Sequence, residues 1–161
     1  MRTFIYFAIL SFTQAVYGDP PKNPRDEIKN RIDQLQSQAI SKDRVAALQR
    51  VLLIDRVAFM IYDIENHQEL IDNFKNSTDP VVQRQVGKWK AKLDGLRADF
   101  AQFEQENKAD ATLFKQAKLV RAEEKRLHEL AKAKGVEHYK SEKCQQALAF
   151  QLVEFMLDLQ K

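Results

Sequence analysis

The sequence predicts an all-α fold, a compact bundle of five or six amphipathic helices with no β-sheet. Three observations carry this. After Pro24 the chain holds one proline, Pro80, and three glycines, Gly87, Gly95 and Gly135, too few breakers for a fold built on turns. Over the same stretch apolar residues recur at steps of three and four, the helical period. The composition, 44% hydrophobic and 30% charged, is that of a folded chain with an oily interior and a wet surface. A length of 161 residues suits one domain. The formal charge of +3 is too close to balance for a nucleic-acid binder.

Residues 1–18 read as a secretory signal peptide. Arg2 gives the positive start, Phe4 to Phe12 is an apolar run too short to span a bilayer, and Val16 and Gly18 are small enough for a cleavage site before Asp19. Beyond Gly18 no long uncharged apolar run occurs, so no transmembrane helix is expected and the protein is placed outside the cell. Residues 19–24 hold three of the four prolines and should form an extended arm. Residues 25–161 then make a single helical domain.

Ile28, Ile32, Leu35 and Ala39 lie on one stripe of a first helix, about 25–39. Ser41 caps a second, about 42–64, so rich in Val, Leu, Ile, Phe and Met that it belongs at the centre. Asn66 and Glu69 resemble a capping box opening a short third helix, about 67–75. Asp79-Pro80 caps and starts the next. That helix carries a heptad seam: Val82, Val86, Trp89, Leu93, Leu96, Phe100 and Phe103. Gly87 and Gly95 lie within it, and close packing against a neighbour would offset their cost. One helix from Pro80 to Lys134 would be about 80 Å long, too long for a compact domain, so a break near 107–110 with Asp110 as the next cap is expected. The helix over about 111–134 turns Leu113, Phe114, Val120, Leu127 and Leu130 inward and stops at Gly135 in a left-handed conformation. Ser141 caps a last helix, about 142–159, that is apolar around most of its girth.

No motif for catalysis is legible. His128-Glu129-Leu130-Ala131-Lys132 begins like a zinc-protease helix, but Lys132 stands where the second histidine must be. No other metal pattern and no cofactor loop occurs. Cys144 and His138 could be paired on paper as thiol and base; the simpler reading of Cys144 is a buried thiol on an apolar face. An odd cysteine in an exported chain also leaves a disulfide-linked dimer open. Asn76-Ser77-Thr78 is a glycosylation sequon just before a turn. Residues 108–143 carry ten Lys or Arg against six Asp or Glu, with Lys115, Lys118, Arg121, Lys125, Arg126, Lys132 and Lys134 prominent. With Glu123, Glu124 and Glu129 beside them, an ordinary solvated helix face is the simpler expectation, and an anionic lipid head, membrane or glycan the alternative.

Helices with little polar surface can also enclose a ligand cavity. The candidate lining is Phe59, Met60, Phe100, Phe103, Phe150 and Phe155, with a Lys or Arg at the mouth. The chain resembles the nematode fatty-acid and retinol-binding proteins in three places. Pro24-Arg25-Asp26-Glu27-Ile28-Lys29 with Asp43-Arg44-Val45-Ala46-Ala47-Leu48 resembles their opening helices. Leu70 to Leu93, through Phe74-Lys75-Asn76-Ser77, resembles their middle helix–turn–helix. Glu142-Lys143-Cys144-Gln145-Gln146-Ala147-Leu148-Ala149 resembles their closing helix. The resemblance implies a secreted, non-catalytic, helix-rich carrier of a fatty acid or retinoid. Secreted nematode antigens of the SXP type are similar in size and helicity, which implies the rival reading: a secreted interaction domain with no small ligand.

Overall fold

The computed structural model describes residues 24–38 and 41–160. The leader over 1–18, the arm as far as residue 23, and Ala39 lie outside the described residues. Six helices and no strand are present among those described. They are α1 (Pro24–Ser37), α2 (Lys42–Phe74), α3 (Pro80–Glu106), α4 (Ala111–Lys132), α5 (Val136–Lys140) and α6 (Glu142–Asp158).

The caps read from the sequence are in place. Ser41 Oγ accepts from the Arg44 amide at 3.3 Å, Asp79 Oδ1 from the Val81 amide at 2.7 Å, Asp110 Oδ1 from the Leu113 amide at 3.1 Å, and Ser141 Oγ from the Cys144 amide at 3.2 Å. Each satisfies an amide that the first helical turn leaves without a partner. The expected break at 107–110 is real. Asn107 ends α3, and Asp110 starts α4.

One expected break is absent. The helices expected over 42–64 and 67–75 are a single helix, α2, of 33 residues, about 50 Å long. Asn66 and Glu69 sit in its interior and cap nothing. No proline or glycine interrupts the stretch, and α3 and α4 both pack along it. Continuous backbone hydrogen bonds cost nothing there, whereas a break would leave buried amides and carbonyls to satisfy.

The core sits around the first half of α2, as its apolar excess requires. Ile28 and Ile32 of α1, Val51, Ile54 and Val57 of α2, Leu113 and Val120 of α4, and Val153 and Met156 of α6 are all essentially inaccessible. α1 packs on α6 and α2, and α6 touches α1, α2, α4 and α5. Leu35 completes the α1 stripe. α4 runs beside α2 in the same direction. Asp110 at its start meets Arg50, and Arg121 and Lys125 further on meet Glu65. α6 returns antiparallel to α4, with Gln116 donating to the Leu159 carbonyl at 2.8 Å.

α3 is set apart. Among the described helices its backbone approaches α2 alone, and only its last turns reach further, where Phe100 and Phe103 meet Phe114 of α4 edge-on at 6.1 and 6.3 Å. The heptad seam does face inward. Its first half joins α2 in a second small cluster of Ile71, Val82, Val86 and Leu93, with Ile64, Phe74 and Trp89 partly buried beside them. Gly87 and Gly95 do not take part. A Cβ built at either meets nothing within 4 Å, so the expected close packing is absent and both glycines face outward.

Gly135 has φ +107° and ψ 154°, a positive φ that glycine adopts without a Cβ clash. It does not stop the helix by itself. α4 ends at Lys132, and Gly135, three residues on, swings the chain into the unforeseen short helix α5.

Candidate functional site

The six residues expected to line a lipid cavity take several settings among the described residues, four of them in or against the main core. Phe100 and Phe103 share the Phe114 contact, and Phe59 stacks on Tyr62 at 6.0 Å. Met60 and Phe155 pack against the rim of the main core. Phe150 lies on the surface, 45% exposed, with the Arg31 guanidinium 4.7 Å from its ring centre. Phe100 and Phe103, with Phe114, fill the seam between α3 and α4.

An open apolar groove lies elsewhere, where the end of α4, the turn through α5 and the first half of α6 diverge. Its volume is about 480 Å³. Leu127, Leu130 and Ala131 form one wall, and Cys144, Ala147 and Leu148 the other. Gly135, with its positive φ, lies in the connection between the two walls. Leu130, expected on the inner side of α4, is 52% exposed here. At that position an apolar side chain bounds a groove, not a core. Lys134, His138 and Lys143 stand around the same groove. Cations beside an apolar trough are the complement of an amphiphile with an anionic head.

Polar side chains brace this end of the molecule. His128 Nδ1 lies 2.7 Å from Tyr139 Oη, joining α4 to α5. Burial pushes the Tyr139 phenol above its ordinary range against the opposing pull of Lys132, so the hydroxyl keeps its proton. Gln145 donates to the Tyr139 carbonyl. Cys144 is a free thiol, 7% exposed. It shares the groove with His138, yet no hydrogen bond joins the two among the described residues, and a disulfide between two copies would require α6 to move. Among the described residues no group of three or more His, Cys, Asp or Glu is placed to hold a metal. No described helix is long and apolar enough to cross a membrane.

The basic segment read from the sequence is partly neutralised. Arg121 bridges Glu65 at 2.9 Å and Glu124 at 3.0 Å, and lies over the Tyr62 ring. Lys125 reaches Glu65, Arg126 reaches Glu123, and Lys132 reaches Glu129. Burial alone would raise the Glu65 carboxyl, but hydrogen bonds from Lys125 and Arg121 outweigh it and leave the group below the ordinary carboxylate range. This is a solvated face on which four of the seven prominent cations are paired. Of the seven cations singled out there, Lys134 alone lines the groove.

No family model, curated protein or solved structure matches this chain.

Proposed function

We propose that the protein is a secreted, non-catalytic carrier of a fatty acid, retinoid or similar lipid, held in the groove between α4 and α6. The observation that carries the reading is the pairing of an exposed apolar trough of about 480 Å³ with Lys134, His138 and Lys143 beside it. That volume lies within the range of small-molecule sites. Each methylene removed from water contributes ~0.8 kcal/mol, so an acyl tail along Leu127, Leu130, Ala147 and Leu148 binds without a specific motif. The head carboxylate meets Lys134 or Lys143. The resemblance to fatty-acid and retinol-binding proteins supports the same reading. The leader expected over 1–18 and the sequon support export, with Asn76 glycosylated. Asn76 is exposed in the turn between α2 and α3, where a glycan disturbs no packing.

The test is displacement of a fluorescent fatty acid from the chain lacking residues 1–18. Binding at micromolar concentration is expected. Ala147→Phe, which fills the trough from an exposed helical position, should weaken it at least tenfold. Lys134→Gln with Lys143→Gln should weaken carboxylates about tenfold, the scale of a lost charged hydrogen bond, while sparing uncharged retinoids. No lipid competing at micromolar levels leaves the rival, a secreted interaction domain. The position of α3, whose backbone approaches only α2 among the described helices, favours that rival.

A further inference from the structure

The outer side of α3 holds the charge that the sequence reading placed on α4. From Arg84 to Arg97 there are five cations, Arg84, Lys88, Lys90, Lys92 and Arg97, against one carboxylate, Asp94. All five are exposed. Among the described residues none makes an ion pair, and Arg97 donates only to the neutral Gln68, at 3.0 Å. On α4, by contrast, Arg121, Lys125, Arg126 and Lys132 are each bound to a glutamate, and only Lys115 and Lys118 are left without an ion pair among the described residues.

The register arranges these charges. Arg84, Lys88 and Lys92 follow one another at steps of four along one flank of the helix. Lys90 and Arg97, seven apart, stand on the other flank. Between the flanks lie Gly87, Ala91 and Ala98, with the single carboxylate Asp94 next to Lys90, all exposed. They leave a shallow furrow about 20 Å long at 1.5 Å per residue. No part of the described chain covers it. Each of the two glycines in α3 weakens the helix, and neither is compensated by a contact within the chain.

We propose that this face binds a linear polyanion, specifically a sulfated or polycarboxylated glycan chain lying along the furrow. Two rows of unneutralised cations one helix width apart match a thin strand of anionic groups, which releases its condensed counterions as they are neutralised. A bilayer fits less well, because the furrow floor offers glycine, alanine and the Asp94 carboxylate where an interfacial helix needs large apolar anchors.

The experiment titrates the purified chain with heparin, and in parallel with its desulfated form and with anionic phospholipid vesicles. Heparin should bind, with affinity falling about a hundredfold between roughly 50 and 200 mM salt if five cations engage. Lys88→Gln, Lys90→Gln and Lys92→Gln together should weaken it at least tenfold and flatten the salt dependence. Lys108→Gln, Lys115→Gln and Lys118→Gln remove equal charge from exposed positions elsewhere and should change it less than twofold. Circular dichroism confirms that each triple variant stays helical. Equal losses in the two triple variants would reduce the effect to net charge and overturn the proposal. Vesicles binding as tightly as heparin, or heparin failing to bind at low salt, would overturn it too.

Discussion

Asp110 performs two tasks with one carboxylate. Oδ1 caps α4 through the Leu113 amide, and both oxygens take the Arg50 guanidinium as a two-point pair. Gln116, buried six residues later, accepts from Arg50 and donates to the Leu159 carbonyl, so α2, α4 and the end of α6 share one polar knot. Asp110→Ala should cost about 1 kcal/mol for the cap and up to about 1 kcal/mol more for the exposed ion pair. Asp110→Asn keeps a good cap and loses only the second contribution; urea melts of the two variants separate them. The Arg50 hydrogen bonds hold the Asp110 carboxyl below its ordinary value of 3.8. A carboxyl depressed in the folded state stabilises fully above its unfolded pKa, and that stability is lost as pH falls through the lower folded value. Stability should therefore decline below about pH 4, and Asp110→Ala should make that decline shallower. Cys144 and the four caps were readable one residue at a time, because a capping side chain acts within its own turn. The Arg50–Asp110–Gln116 knot was not, since its members are 60 and 66 positions apart in sequence.

At the scale of elements, helix starts were the most legible feature and helix continuity the least. A start has a local chemical signature. Whether α2 breaks at Asn66 depends on what lies on both sides of it, and α3 and α4 supply that only in three dimensions. The glycines of α3 give the same lesson in reverse. Both were expected at a close helix contact, and both face solvent. Gly87→Ala and Gly95→Ala should each stabilise the protein by up to about 1 kcal/mol, since alanine restores helix propensity and meets no neighbour. Gly135→Ala should destabilise it by about 1–3 kcal/mol, because φ +107° is strained for any residue with a Cβ. Thermal melts of the three variants check both signs.

Taken whole, the molecule has two unequal parts: a main core shared by α1, α2, α4 and α6 with the end of α3, and the tip of the α2–α3 hairpin. The tip is held by the smaller cluster around Ile71, Val82, Val86 and Leu93, closed by Phe74 against Trp89 at 5.8 Å. Fewer buried apolar groups mean a lower local opening free energy. Amides of Val82 to Leu93 should therefore exchange with solvent faster than those of Leu113 to Val120, and Trp89→Ala should widen the gap. Equal protection of both segments by hydrogen-exchange mass spectrometry would show that the hairpin opens only with the core. The candidate groove and the basic furrow lie on different elements, so binding at one can be tested without disturbing the other.

The sequence by itself determined the all-α class, the caps, the central place of α2 and the inward faces of α1 and α3. Each follows from period and local hydrogen bonding, which act within a few residues. Tertiary structure alone decided which cations stay unpaired, that Phe100 and Phe103 meet Phe114, and that the trough opens between α4 and α6. Those outcomes depend on which helix faces meet across long stretches of sequence, and periodicity fixes a face without naming its neighbour.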